Sequence, residues 1–533
     1  MLNYAPFLNK LTYLGVFEKI GVIHEILPSL DEKLHINYIQ DLTKAIDHAE
    51  KIKNILLNEN ALEGLSEKEL TQCITPFTEF FVQHNMPELA THFLIKSIDL
   101  YPHQSQLYAI LSDVFIKMNL LDDATTALRE ATTRAPQTPE YWLIAANICC
   151  QQGEFQAAIK CLEQVFELQP LGLQAKRILA RIFVQLDLWD QADIVLQDIL
   201  SQHPNDADTL YEKGLMNLRR GNLIGFKDFE KRSECTDFPT HIFPQLQKNK
   251  KWQGEPLKDK KILIVNDLNV PYFFLFASLF QGIIEESKHC TIEANQDSLS
   301  LLARSFNSTS FITSEQIEIN TKNYHLFGQK TLLEHDYWLQ LGDLAQYRLN
   351  NYSEHLTLPA LKPAPQRIEY WETELKHLNN RLKVGINPEL YPFLNPFWEK
   401  WEPLFKQSNI DFFALTHDIN LELKPNYGIH PCPYPQDASS EEKSAFLSQL
   451  SFVVTPFSHE ANLAALLGVQ VIQLTKAEEW STLGQTKSPF FKNNMHILPY
   501  SLSTSFDVQI PQLVAKTIEV IQKNGSSPHR KIR

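Results

Sequence analysis

No two cysteines in this chain are spaced as CxxC. Seven are spread over 533 residues, at Cys73, Cys149, Cys150, Cys161, Cys235, Cys290 and Cys432. An odd, scattered set excludes the common zinc spacings and suits a reducing compartment. HExxH, GxSxG, a Walker-type phosphate loop and GxGxxG are absent as well, so no familiar catalytic signature offers itself. No run of about 18 apolar residues occurs. The opening residues MLNYAPFLNKLTYLGVFEK lack both a basic segment ahead of an apolar core and a small-residue cleavage site. The expectation is a cytoplasmic protein with no membrane insertion. Basic charge is also scarce: 49 Lys and Arg against 63 Asp and Glu give a formal net charge of −14, which argues against a nucleic-acid partner. The acidic pairs Glu441-Glu442 and Glu478-Glu479 read as solvated helix ends.

What is present is a globular composition, 44% hydrophobic, ample for two or three cores. Its strongest regularity is a proline that ends a helix-like run at Pro102, Pro136, Pro170 and Pro204, with the same interval each time. Ala90, Ala124, Ala158 and Ala192 hold one small position relative to these prolines, and Leu94, Leu128, Leu162 and Leu196 an apolar one four residues on. The first helices add Tyr108, Leu111 and Phe115, then Trp142, Ala145, Ala146 and Cys149. Interval and pattern resemble the tetratricopeptide repeat, two antiparallel helices in about 34 residues.

The repeats fall at 71–104, 105–138, 139–172 and 173–206, with a fifth, degenerate one to about 232, so the repeat domain is placed at 71–235. Residues 1–70 read as a helical cap, with Ile39, Leu42, Ala45, Ile46, Ala49 and Ile52 on one face. In such superhelices the first helix of each pair lines a concave face that commonly holds peptides. The corresponding positions are Asp113, Asn147 and Arg181, with Lys117, Gln151 and Gln185 further along the same helices. The expected partner is a protein or peptide in that groove.

After a linker at 236–255, strand and helix patterns alternate: KILIV, HCTIEAN, DSLSLLARSF, SFITS, KVGIN, PFWEKWEPLF, IDFFALT, SSEEKSAFLSQL, SFVVTP, HEANLAALLG and VQVIQLT. Short apolar strands between helices mean parallel sheets covered on both faces. Two segments like first strands, KILIV and LKVGI, lie about 120 residues apart and predict two Rossmann-like halves, 256–380 and 381–523. One helix, IEYWETELKHLNNRL, would connect them, and a basic tail, 524–533, would follow as a solvated end.

The order GNLIGFKDFEKR, WQGEPLKDKKILIV, LLARSF, DYWLQLGDL, LKVGI, LAALLG and LGQTKSPFF is similar to bacterial proteins that join tetratricopeptide repeats to a two-Rossmann glycosyltransferase of the O-linked N-acetylglucosamine transferase type. The likeness covers about residues 71–523. It implies an α-solenoid followed by an α/β domain of the GT-B-like fold, with no tightly bound cofactor and no metal. It also implies a nucleotide-sugar donor, a UDP-sugar first, bound mostly to the C-terminal half, and an acceptor polypeptide presented by the repeats.

Carried over motif by motif, the donor positions are Asn387, Ser458, His459, Asn462 and Lys476; no catalytic residue is assigned. The first-strand turn of such relatives reads like EQGLGD, whereas here Asp267, Leu268, Asn269, Val270, Pro271 and Tyr272 stand in its place, without glycine. In the second half, Asn387, Pro388, Glu389 and Leu390 replace an SWRGG-like turn, and Glu389 brings the wrong charge for a diphosphate. Phe457, Ser458 and Asn462 stand where a DTxxxHLAGALG-type motif has Asp-Thr and His. Two functions follow: transfer of a sugar to a polypeptide held by the repeats, or, as the alternative, a catalytically degenerate scaffold. A cleft filled by Tyr272, Phe273 or Phe457 is the outcome expected of the scaffold.

Overall fold

The structure, a computed structural model, describes residues 70–525 with interruptions, the longest at 388–397 and 418–426. The expected cap, Leu70 apart, and the tail from residue 526 lie outside the described residues, as do Pro388, Glu389 and Leu390. The chain divides into two compact units. One takes residues up to Phe183 with Asp190–Pro204 and Ile317–Tyr324; the other takes Val184–Trp189, Asn205–Gln316 and His325 onward.

The first unit is a series of helices: α1 (Pro87–Leu100), α2 (Ser105–Lys117), α3 (Leu121–Arg134), α4 (Pro139–Gln152), α5 (Phe155–Leu168), α6 (Leu173–Gln185) and α7 (Trp189–Gln202). The sequence period has a structural counterpart at every level. Ala90, Ala124, Ala158 and Ala192 are all fully buried, because a methyl is all that fits where paired helices approach. Aromatic side chains at one repeat position tie each first helix to the preceding proline: Tyr108 donates to the Pro102 carbonyl and Trp142 to that of Pro136. The turn within each pair is left-handed at the same position, with φ of 59° at Asn119, 78° at Gly153, 60° at Asp187 and 76° at Gly221. Asn, Gly and Asp are the residues that take this conformation at least cost.

The fourth of those turns belongs to α8 (Ala207–Arg219) and α9 (Gly225–Phe229), the helix pair read from sequence as a fifth repeat. It lies in the second unit. Its helices touch backbone to backbone, since a Cβ on Gly225 would sit 2.3 Å from the Gly214 carbonyl oxygen.

The rest of the second unit holds two parallel sheets. The first contains β1 (Lys261–Val265), β2 (His289–Glu293), β3 (Ser310–Ile312) and β4 (Tyr337–Gln340) in the order β3-β2-β1-β4. Helices α10 (Val270–Ala277), α11 (Phe280–Glu286) and α12 (Leu299–Ser305) connect them, and α13 (Leu344–His355) and α14 (Pro365–Glu374) lead on. The second contains β5 (Leu382–Ile386), β6 (Ile410–Ala414), β7 (Ile429–His430), β8 (Phe452–Thr455), β9 (Gln470–Lys476) and β10 (Met495–Tyr500) in the order β7-β6-β5-β8-β9-β10. Its helices are α15 (Trp398–Phe405), α16 (Ser440–Leu447), α17 (His459–Leu466) and α18 (Phe506–Gly525).

Numbered within itself, the second sheet reads 3-2-1-4-5-6 and the first 3-2-1-4, the doubly wound arrangement in which the strand order reverses between strands 1 and 4 while all strands stay parallel. One core runs from Ile262 and Ile264 through Phe274 and Phe276 to Leu463 and Val471, joining the two halves; a second lies between the other face of the second sheet and α15 and α18. The connecting segment is not one helix: α14 ends at Glu374 and a single 3-10 turn, Lys376–Leu378, follows. The chain must leave the helix there to enter β5, where Leu382 N–H donates to the Asn409 carbonyl.

Candidate functional site

In a doubly wound sheet, ligands bind beyond the carboxyl ends of the strands where the order reverses. In the first half that place is between β1 and β4, and a buried ion-pair cluster occupies it. Asp267 accepts from Arg232 Nε at 2.8 Å and Nη2 at 2.6 Å, and its other oxygen accepts from Gly342 N–H at 3.1 Å. Asp343 pairs with Arg232 Nη1 at 2.6 Å and with Lys251 at 2.9 Å, and Lys251 also reaches Glu230 at 2.6 Å. Burial by itself would lower the affinity of Arg232 for its proton; Asp267 and then Asp343 more than offset this and raise it. Gly342 is required, because a Cβ there would lie 2.5 Å from the guanidinium carbon. The turn without glycine is thus closed by side chains: Asp267 binds Arg232, Asn266 Oδ1 accepts from Leu268 N–H, and Asn269 caps α10 by accepting from Tyr272 N–H.

Tyr272 then points at the second half. Its ring stacks on Trp480 at 5.3 Å between centroids and 17° between planes, and meets Phe457 at 4.7 Å. The hydroxyl accepts from Trp480 Nε1 at 3.2 Å and donates to Glu479 at 3.5 Å. Desolvation, with Glu479 beside it, raises the phenol well above its ordinary range. Trp480 is buried and also packs on Phe229, Phe226 and Phe276. Further along the seam, Phe274 stacks on His459 at 4.9 Å and Asn462 Nδ2 donates to the Pro271 carbonyl at 2.8 Å. Arg304 forks onto Glu441 at 2.7 and 2.9 Å, and Ser440 donates to Asp297. The two halves therefore meet through packed rings and polar pairs, with the Asn462 Oδ1 left buried without a hydrogen-bond partner.

The positions named from sequence are found as follows. Ser458 caps α17, accepting from Ala461 N–H at 3.1 Å. His459 and Asn462 lie in the first turn of that helix and face α10. Asn387 continues β5, its N–H donating to the Val454 carbonyl. Lys476 closes β9, in register with Tyr500. All five stand at or just beyond the carboxyl edge of the second sheet, but His459 and Asn462 are engaged with the first half.

Two readings of acidic pairs are corrected. Glu441 and Glu442 are not a solvated end, since they hold Arg304, Trp371 and Arg367. Of the other pair, Glu478 lies outside the described residues, and Glu479 accepts from the Tyr272 hydroxyl and the Ser481 N–H. Sequence reasoning does not find Arg232 and Trp480, because their roles depend on partners 35 and 208 residues away in sequence.

Burial holds the His459 imidazole down at about 4, from an ordinary value of 6.5, against a smaller upward pull from Glu460. The unfolded chain therefore takes up the proton first as pH falls. The stabilisation from neutral His459 is complete above about pH 6.5 and is lost between there and about pH 4, up to roughly 3 kcal/mol. Urea unfolding at successive pH values is expected to show His459→Phe losing that much less stability than the unsubstituted chain across this window. Parallel pH profiles would show that the ring is not desolvated.

Residues 65–187 match the family model described as tetratricopeptide repeat protein 21 ARM repeat. The described helices α1 to α6 form a helical-repeat region that is TPR-like. Protein FlbA of Caulobacter vibrioides is 22% identical over 440 residues, 76% of this chain and 72% of its own length. Among solved structures, an O-GlcNAc transferase mutant of Thermobaculum terrenum aligns over 90% of this chain and 94% of its own, at 11% identity and a TM-score of 0.34. YrrB, described as a TPR protein with an unusual peptide-binding site, aligns over 34% and 91%, at 16% identity and a TM-score of 0.25.

Within the repeats the structure places Asp113 and Lys117 on α2, Asn147 and Gln151 on α4, and Arg181 and Gln185 on α6. Each pair is four residues apart on one helix face, and each helix is the first of its repeat. Asp113, Lys117 and Gln151 are exposed, and Asn147, Arg181 and Gln185 are half-buried. Among the described residues no group of three or more His, Cys, Asp or Glu could hold a metal ion, and no helix is long and apolar enough to cross a membrane.

Proposed function

We propose that this chain is a binding scaffold: its repeats hold a polypeptide, and its α/β unit keeps the frame of a metal-independent nucleotide-sugar transferase with the donor cleft packed shut. The observation that carries this reading is Tyr272. It stands where relatives of the resembling family have a glycine-rich turn, and it fills the seam between the halves, bonded to Trp480 and Glu479 and stacked against Phe457 and Trp480. A diphosphate at the start of α17 would need free N–H groups and a basic side chain. Here Ser458 takes one of those N–H groups, and Phe274 covers His459.

The transferase reading would seat a UDP-sugar at Asn387, Ser458, His459, Asn462 and Lys476. Titration calorimetry with uridine diphosphate and other nucleoside diphosphates separates the two readings. No heat and no shift in Tm at millimolar ligand is the result expected of the scaffold. Saturable binding, with sugar transfer that disappears in Lys476→Ala, would overturn it. For the groove, Asn147→Ala combined with Arg181→Ala is expected to weaken a bound polypeptide about tenfold or more, roughly 1.4 kcal/mol. Unchanged affinity for every partner would remove the groove from the proposal.

A further inference from the structure

A row of buried titratable groups starts at the carboxyl end of β2 with Glu293. His325 and His241 continue it from the strands Lys322–Leu326 and Thr240–Ile242, which are neighbours in a three-stranded sheet. Glu293 Oε1 accepts from His325 Nδ1 at 2.7 Å, and His325 Nε2 lies 2.8 Å from His241 Nδ1. Ser314 Oγ donates to the same carboxylate oxygen, and the other oxygen accepts from Asn266 N–H at 2.9 Å. Glu293 and His325 are 2% and 1% exposed, and all five residues belong to the second unit.

Hydrogen-bond bookkeeping limits how many protons this row can hold. An ionised carboxylate only accepts, so His325 Nδ1 carries a proton. The gap between the two rings holds one more, whichever ring owns it. In the neutral pair the bare nitrogen is therefore His241 Nε2, and one proton added there leaves every hydrogen bond intact, its charge opposed by Glu293. A further proton has no place, because two N–H groups would then face each other across 2.8 Å.

We propose that Glu293, His325 and His241 form a proton-operated latch: when both rings are cationic the bond between them breaks, and the strand Thr240–Ile242 with the turn after it comes away from the first sheet. Charged groups reach His241 from several elements: His325 from the neighbouring strand, Asp267 from the turn after β1, Glu293 from β2, and Arg232 from the 3-10 turn Glu230–Glu234. Burial first, then His325, hold the His241 imidazole below its ordinary value, against upward pulls from Asp267 and Glu293. The detached strand thus takes up the proton more readily than the docked one. Docking is complete above about pH 6.5 and weakens as pH falls below it. The surface the latch covers is apolar, since Phe243 and Leu246 pack with Leu263, Val265 and Phe327. Two hydrogen bonds between Gln245 and the Phe327 backbone, at 3.1 and 2.7 Å, continue the same attachment.

Hydrogen exchange of the full chain, read by mass spectrometry and corrected for the intrinsic effect of pH on amide exchange, tests the latch. On going from about pH 7.5 to about pH 5.5, peptides covering 240–246 and 322–327 are expected to gain about tenfold in exchange rate over peptides covering β9 and β10. The latter report the stability that His459 costs the whole unit in this window. His241→Gln keeps a side-chain N–H for His325 Nε2 but cannot become cationic, and is expected to abolish the difference. An equal change in every peptide of the α/β unit, or an acid-induced gain that persists in His241→Gln, overturns the latch. If His241→Gln does not fold, the unsubstituted chain decides by whether the gain is confined to these two stretches.

Discussion

Arg232→Met is expected to destabilise the α/β unit by about 3–5 kcal/mol, the usual consequence of removing one partner from a buried ionic cluster. Arg232 is 1% exposed and Asp267 and Asp343 are 2% and 0% exposed, so solvent cannot replace the lost guanidinium. Asp267 would keep only the Gly342 N–H and a long contact from Gln340 at 3.5 Å, and Asp343 would keep Lys251. Arg232→Lys should recover little of the loss. One ammonium cannot reproduce the fork that meets Asp267 through Nε and Nη2 and Asp343 through Nη1. Urea unfolding followed by tryptophan fluorescence measures both. A loss below about 1 kcal/mol for Arg232→Met would mean that the carboxylates are hydrated or protonated and that the cluster does not hold the turn.

The cluster shows why one part of the molecule was readable in sequence and another was not. Proline at fixed spacing, alanine at the helix contact and alternating apolar runs are local signals, and the structure has helices and strands where they fall. All four alanines are fully buried. The left-handed turn at Asn119, Gly153, Asp187 and Gly221 keeps the same period, but it is written in three different residue types, and only the shared backbone requirement unites them. The seam has no periodic signature. Glu441 looks like any helix-start acid until Arg304, 137 residues earlier, is seen beside it. Trp480 follows a strand as a lone aromatic. That the first turn holds no glycine is legible, but what closes it, an arginine clamp on Asp267 and a tyrosine packed into the seam between the halves, depends on contacts between distant segments.

The second large effect is expected at Trp480. It is 5% exposed and touches three parts of the α/β unit at once: Phe226 and Phe229 of the short α9 helix, Tyr272 and Phe276 of the first half, and its own second half. Trp480→Ala should cost about 3–5 kcal/mol, since rings held by three segments cannot all collapse into the vacated space. Trp480→Phe keeps most of the apolar contact but removes the indole N–H, leaving the Tyr272 hydroxyl without that donor, and should cost about 1–2 kcal/mol. A graded series of this kind in urea unfolding is what a packed seam requires. If Trp480→Ala instead unfolds within about 0.5 kcal/mol of the unsubstituted chain, the rings are solvated, the cleft stands open, and the scaffold reading loses the observation that carries it. If the cost is as expected and nucleoside diphosphates still give no heat with Trp480→Ala, removing the plug does not restore a donor site. The glycine-free turn that Arg232 and Asp267 hold fixed is then the next barrier to test.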